Sequence, residues 1–107
     1  MAKSSTGLDE NVAGLLSYLF WWISGLIFFL VEKDSKFVRF HAMQSIVVFA
    51  TITVANIVFT YIPVIGWVLR IVLSIFALVL WIILMIKAYQ GERYKLPWAG
   101  DIADKQA

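Results

Sequence analysis

The sequence predicts an all-α integral membrane protein with three transmembrane helices, the second and third forming a tight antiparallel hairpin. Three observations lead there. Of the 107 residues, 62% are hydrophobic and 15% charged, with a mean hydropathy of +0.85. A water-soluble chain this apolar would expose large adhesive patches, whereas in a bilayer the same surface meets lipid. The apolar residues gather in three runs of about twenty, each long enough to cross a ~30 Å hydrocarbon layer at ~1.5 Å per helical residue. Apart from Arg70 near the start of the third run and Lys87 at its end, the charges lie between and beyond these runs.

The first run is residues 12–31, which carry no charge. It follows a polar tail, residues 1–11, where Thr6 and Asp9 can cap a helix start. That tail is not a cleavable signal, since Lys3 alone makes up its basic part and the apolar run is too long. Gly14, Ser17, Ser24 and Gly25 are small residues that let a neighbouring helix approach. The Phe20-Trp21-Trp22 run sits too deep for an interfacial belt and reads as packing surface.

Residues 32–41 form a charged loop, with Asp34 or Ser35 as N-cap of the next helix. Phe37 and Phe40 flank Arg39, the pattern of rings and basic groups that anchors a membrane interface. The second span is residues 42–62. It is rich in β-branched residues, yet a lone strand cannot satisfy its backbone in lipid, so helix wins. Residues 63–66 are the turn, because Pro63 turns Ile62 away from helical angles and Gly66 adds freedom. The third span is residues 67–88, and Gly91 suits the C-terminal cap. Pro97 ends helical structure in the tail, residues 89–107, with a short interfacial piece around Tyr94, Leu96 and Trp98.

Charge sets the orientation. The first loop holds Lys33, Lys36 and Arg39, and the C-terminal flank holds Lys87, Arg93, Lys95 and Lys105. The positive-inside rule places both in the cytoplasm, and three crossings then place the N-terminus outside. The expected location is the cytoplasmic membrane.

Few residues suggest chemistry. There is no cysteine, hence no disulfide, thiolate metal site or cysteine nucleophile. The net charge of +2 is small and not strung along one face, which leaves nucleic acid out as a partner. His41 has no histidine or carboxylate at metal-ligand spacing, so no metal is expected. No serine-nucleophile, paired-carboxylate or phosphate-loop set is present, and no enzyme activity or cofactor is expected. The candidates for function or packing are therefore polar residues the membrane must tolerate. Arg70 is the most costly, and it can snorkel to the interface, pair with Asp9 or Glu10, or line a path. Thr53, Asn56 and Thr60 share one helical face that should point at protein, as packing glue or a polar path. His41 can make an interfacial hydrogen bond or relay protons.

Two stretches, Lys36-Phe37-Val38-Arg39-Phe40-His41-Ala42-Met43-Gln44-Ser45 and Lys87-Ala88-Tyr89-Gln90-Gly91-Glu92 through Leu96-Pro97, occur with Gly7-Leu8 and Gly14-Leu15-Leu16-Ser17-Tyr18-Leu19 ahead of them. Together they resemble a family of small prokaryotic multi-span membrane proteins, grouped distantly with the channel-associated Tic component of the chloroplast inner-envelope protein-import machinery. The resemblance implies a multi-helix membrane protein with a part in transport or translocation. It marks Arg39, His41 and Gln44 as motif residues and supplies no catalytic ones.

The reading is a non-enzymatic structural or assembly subunit in the lipid bilayer, acting as a homo-oligomer or with a larger membrane protein. The alternative is a channel or transporter protomer whose copies surround a path lined by Thr53, Asn56 and Arg70.

Overall fold

A computed structural model describes residues 2–107. Its described residues form five helices: α1 Glu10–Leu19, α2 Trp21–Val31, α3 Lys36–Thr60, α4 Ile65–Tyr89 and α5 Ala99–Gln106. The all-α class holds. Two helices, α3 and α4, are long and apolar enough to cross a membrane.

The single helix expected over 12–31 is instead two. The chain breaks at Phe20, Trp21 takes a φ of 58°, and α2 folds back along α1. The residues flanking this short hairpin meet, Ser5 donating its N–H to Glu32 at 3.0 Å. The start of α1 also lies beside the end of α4, where the Asn11 side-chain amide donates to the Tyr89 carbonyl at 3.1 Å. The N-terminus, the 32–35 loop and the end of α4 therefore share one end of a molecule 49 Å long and 22 Å across.

Helices α3 and α4 form the antiparallel hairpin. Ser35 caps α3, its hydroxyl accepting from Val38 N–H at 3.2 Å. At the turn, the Ile65 N–H bonds back to the Pro63 carbonyl, a γ-turn that holds Val64 at φ 63°. A Cβ on Gly66 would collide with the Phe59 carbonyl, so glycine is what lets the helices close up there. The far end of α4 is a Schellman cap. Gly91 N–H bonds to Ala88 O and Glu92 N–H to Lys87 O, with Gly91 at φ 81°.

Contrary to the sequence expectation, Pro97 does not end helical structure. It starts a second γ-turn, centred on Trp98, and α5 follows. Residues 92–98 run along α3, and α5 packs back on it with Ala99 and Ala103 buried, while Gly100 lies against Lys95. Asp104 ties α5 to Arg93 at 3.4 Å and Lys95 at 3.1 Å. These pairs are exposed and contribute at most about 1 kcal/mol each.

The core is confined to one half of the long hairpin. Tyr18, Val48, Phe49, Ile52, Ala77, Leu84 and Ala88 are buried there together. Phe37 and Phe40 belong to this buried interior rather than to an interfacial anchor. Beyond Ile52 and Ala77, α3 and α4 continue as a bare pair with exposed Val54, Ile57, Val58, Trp67, Val68 and Ile71. We call these the closed and open halves.

Candidate functional site

Four places hold the polar side chains of this apolar protein. The first lies at the closed end, where Tyr18 and α3 grip the C-terminal stretch. The Tyr18 hydroxyl is 2.7 Å from His41 Nδ1 and accepts from Gln44 Nε2 at 3.0 Å. His41 Nε2 is 2.8 Å from the Glu92 carbonyl. A carbonyl only accepts, so Nε2 carries the proton and Nδ1 accepts from Tyr18. Gln44 completes the set, Nε2 donating to Tyr94 O at 2.9 Å and Oε1 accepting from Leu96 N–H at 3.1 Å. Every donor has one acceptor, and each bond this network makes to residues 92–96 goes to a backbone group.

The second place is the 32–35 loop. Glu32 is fully buried. Its carboxylate accepts from the Ser5 hydroxyl at 2.7 Å and from the N–H groups of Ser5, Asp34 and Ser35 at 2.9–3.0 Å. Burial alone would raise its pKa, but the donors from Ser35, Ser5 and Asp34 together outweigh burial and hold it down at about 2. Ser35 also donates to Glu10 while capping α3. Arg39 then closes the end of α2, donating to Phe29 O at 3.0 Å and Glu32 O at 2.9 Å, with its guanidinium 4.2 Å above the Phe29 ring.

The third place is the break at Phe20. A broken helix leaves backbone groups without partners, and each costs several kcal/mol if left bare in hydrocarbon. Here side chains supply them. Ser24 Oγ accepts the Phe20 N–H and donates to Ser17 O, both at 3.0 Å. Trp81 Nε1 donates to Tyr18 O at 2.6 Å, and Ser45 Oγ to Trp21 O at 2.7 Å. The Trp21 ring stacks on Trp81, centroids 6.1 Å apart, and meets Phe49 edge-on.

The fourth place is the open half. Thr53, Asn56 and Thr60 do not bond across helices; each donates to the carbonyl four residues earlier, at Phe49, Ile52 and Asn56. Thr53 and Asn56 do line a groove of about 420 Å³ with Trp22, Ile52, Ser74 and Ala77, floored by the tip of the α1–α2 hairpin. Arg70 is exposed and does not pair with Asp9 or Glu10, which lie at the other end of the molecule. Asp9 pairs with Lys3 at 3.5 Å instead, and Glu10 receives Ser35. Among the described residues, no ion pair includes Arg70, and no three His, Asp or Glu converge as metal ligands.

Of the sequence candidates, Arg39, His41 and Gln44 act in the closed half and Thr53, Asn56, Thr60 and Arg70 lie in the open half. The sequence marks Ser24 only as a small packing residue and Tyr18 and Ser45 only within the family stretches, and it assigns no role to Glu32 or Trp81. Each of these also has a partner 7 to 63 residues away, and nothing local marks those distant partners.

Comparison with known proteins agrees with the membrane character. Residues 8–103 match the Magnetosome magnetite crystal formation protein family. The chain belongs to that family. It is similar to two UPF0132 membrane proteins of Methanocaldococcus jannaschii. One is 52% identical over 92% of this chain and 71% of its own length, the other 50% identical over 98% and 94%. A UPF0132 membrane protein of Archaeoglobus fulgidus is 48% identical over 92% of this chain and 96% of its own. No solved structure matches.

Proposed function

We propose that this member of the magnetite crystal formation family is a structural or assembly subunit of the cytoplasmic membrane, working without catalysis and through contacts with a second copy or a larger membrane protein. The observation that carries this is the bare open half of α3–α4. Two apolar helices leave the packed end side by side with no further helix on either flank. Meanwhile no buried side-chain polar atom among the described residues is left without a partner. The polar groups of the closed half hold the fold together, and the surface left over is the hairpin.

Two crossings replace three in this reading. α3 and α4 cross, while α1–α2 enters and returns from the side where both termini lie. At eleven residues, α2 reaches about 16 Å, half of a ~30 Å hydrocarbon layer. Lys3 then joins the seven basic residues of the loop and C-terminal flank, leaving Arg70 alone of the nine on the far side. The positive-inside rule puts both termini in the cytoplasm. A translocation path, which the Tic resemblance would favour, needs free polar groups along the helices, whereas Thr53, Asn56 and Thr60 each donate within their own helix.

Cysteine labelling in intact cells tests the arrangement. Positions 3 and 105 should be protected from a membrane-impermeant reagent, and position 64 at the turn should react. Labelling of position 3 but not 105 would restore three crossings. The chain in lipid nanodiscs should run as more than one copy, or co-purify with a partner after cross-linking from position 58; a lone monomer by both measures would refute the subunit role.

A further inference from the structure

We propose that the open half of the α3–α4 hairpin binds one anionic phospholipid, its phosphate on Arg70 and an acyl chain in the groove beside Asn56. The inference rests on the reading that α3 and α4 cross the membrane. Two cavities lie along one face of α4. The first, about 330 Å³, is lined by Trp67, Arg70, Ile71 and Ser74. The second, about 420 Å³, is lined by Ser74, Ala77 and Leu78 on α4 and by Ile52, Thr53 and Asn56 on α3. Ser74 lines both, so the two adjoin on that face. Residues 67, 70/71, 74 and 77/78 recur at helical spacing, so the stripe descends from the turn toward the middle of the molecule.

The chemistry changes along that stripe in the order of a phospholipid. Arg70 stands at the mouth with five N–H donors, and all seven acids of the chain lie in the closed half, so the protein offers it no carboxylate. A phosphate supplies the acceptors a guanidinium fits best. Below Arg70 the groove is chiefly apolar, and its volume falls within the ~300–1,000 Å³ of ligand sites. Its floor is Trp21 and Trp22 at the tip of the short hairpin. From Arg70 to Leu78 the helix descends about 12 Å, close to the half-thickness of a ~30 Å hydrocarbon layer. The groove thus has the depth of one leaflet, and the α1–α2 tip closes it where that leaflet ends.

Native mass spectrometry of the full chain in detergent, titrated with dioleoyl phosphatidylglycerol, tests this independently of the side each terminus occupies; the cysteine labelling reads the topology. One lipid per chain should be retained. Arg70→Gln should weaken retention about tenfold, as expected for loss of charge-assisted bonds. Ser74→Leu fills the groove and keeps the charge, and it should weaken retention as much. Dioleoylglycerol, with the chains but no phosphate, and inorganic phosphate, with no chains, should each bind at least about tenfold more weakly. Wild-type retention by Arg70→Gln, or equal binding of dioleoylglycerol, would remove the headgroup site. Equal binding of inorganic phosphate would reduce it to an anion site, and wild-type retention by Ser74→Leu would remove the groove.

Discussion

Glu32 is a buried carboxylate held ionised by hydrogen-bond donors rather than by a cation. Its pKa falls from an ordinary 4.5 to about 2 in the fold, so its contribution is fully present above about 4.5 and is lost as pH drops toward about 2. Thermal unfolding in detergent should show that acid loss, and Glu32→Gln should flatten it while costing about 2 kcal/mol at neutral pH. Removing Ser5 donors one at a time should give smaller, partial versions of the same effect. The serines at the break act by the same logic without charge. Ser24→Ala strips partners from both Phe20 N–H and Ser17 O, and Ser45→Ala strips one from Trp21 O. Each should cost about 1–3 kcal/mol, Ser24→Ala the more, measured by unfolding in detergent. Equal stability of both variants would mean that water already reaches the break.

At the scale of elements, close approach decides which helices meet. A Cβ on Gly25 would stand 2.7 Å from the Ala42 carbonyl and 2.9 Å from Ser45 Cβ. Backbone cannot give way there as a flexible side chain can, so Gly25→Ala should push α2 away from α3 and stretch the Ser45–Trp21 bond. Gly66→Ala meets the Phe59 carbonyl at the other end of the molecule and should splay the start of α4. Both should lower stability by about 1–3 kcal/mol, the cost of overpacking, while a Gly7→Ala change, with open space around it, is limited to the strain of its φ of 86°. Detergent melting curves of the three variants rank these costs. The α3–α4 hairpin was legible in Pro63 and Gly66. The break at Phe20 was not, because Phe20 and Trp21 are bulky residues that ordinarily avoid positive φ and signal no turn.

For the whole molecule, the arrangement of the N-terminal third separates two topologies by distance. A straight helix from position 8 to position 33 would hold them about 38 Å apart. In the folded-back hairpin they lie near one another, since Ser5 and Glu32 are hydrogen-bonded. Spin labels at Leu8→Cys and Lys33→Cys, both exposed positions, should report a separation under about 20 Å by pulsed electron paramagnetic resonance, about half the straight-helix value. A distance near the straight-helix value would dismantle the closed half.

Hydropathy, the charge layout and one proline determined much of this protein without tertiary information: the all-α class, its membrane character, the two long helices and the turn between them. Those features follow from local physics, since a segment's length and polarity already set its free energy in lipid. Residues 12–31 show where local physics stops. Twenty uncharged residues suit a straight span and a half-depth hairpin equally well by composition. What favours the hairpin is a set of partners supplied from elsewhere: Ser45 and Trp81 to the broken backbone, Ser5 to Glu32, Asn11 to the end of α4. Likewise Arg39, His41 and Gln44 stood out as a motif, but their work of closing α2 and holding residues 92–96 exists only once Phe29, Tyr18 and the C-terminal stretch are brought to them. A broken helix at membrane depth is stable only when other elements satisfy its backbone, so only the tertiary structure decided where the chain turns back.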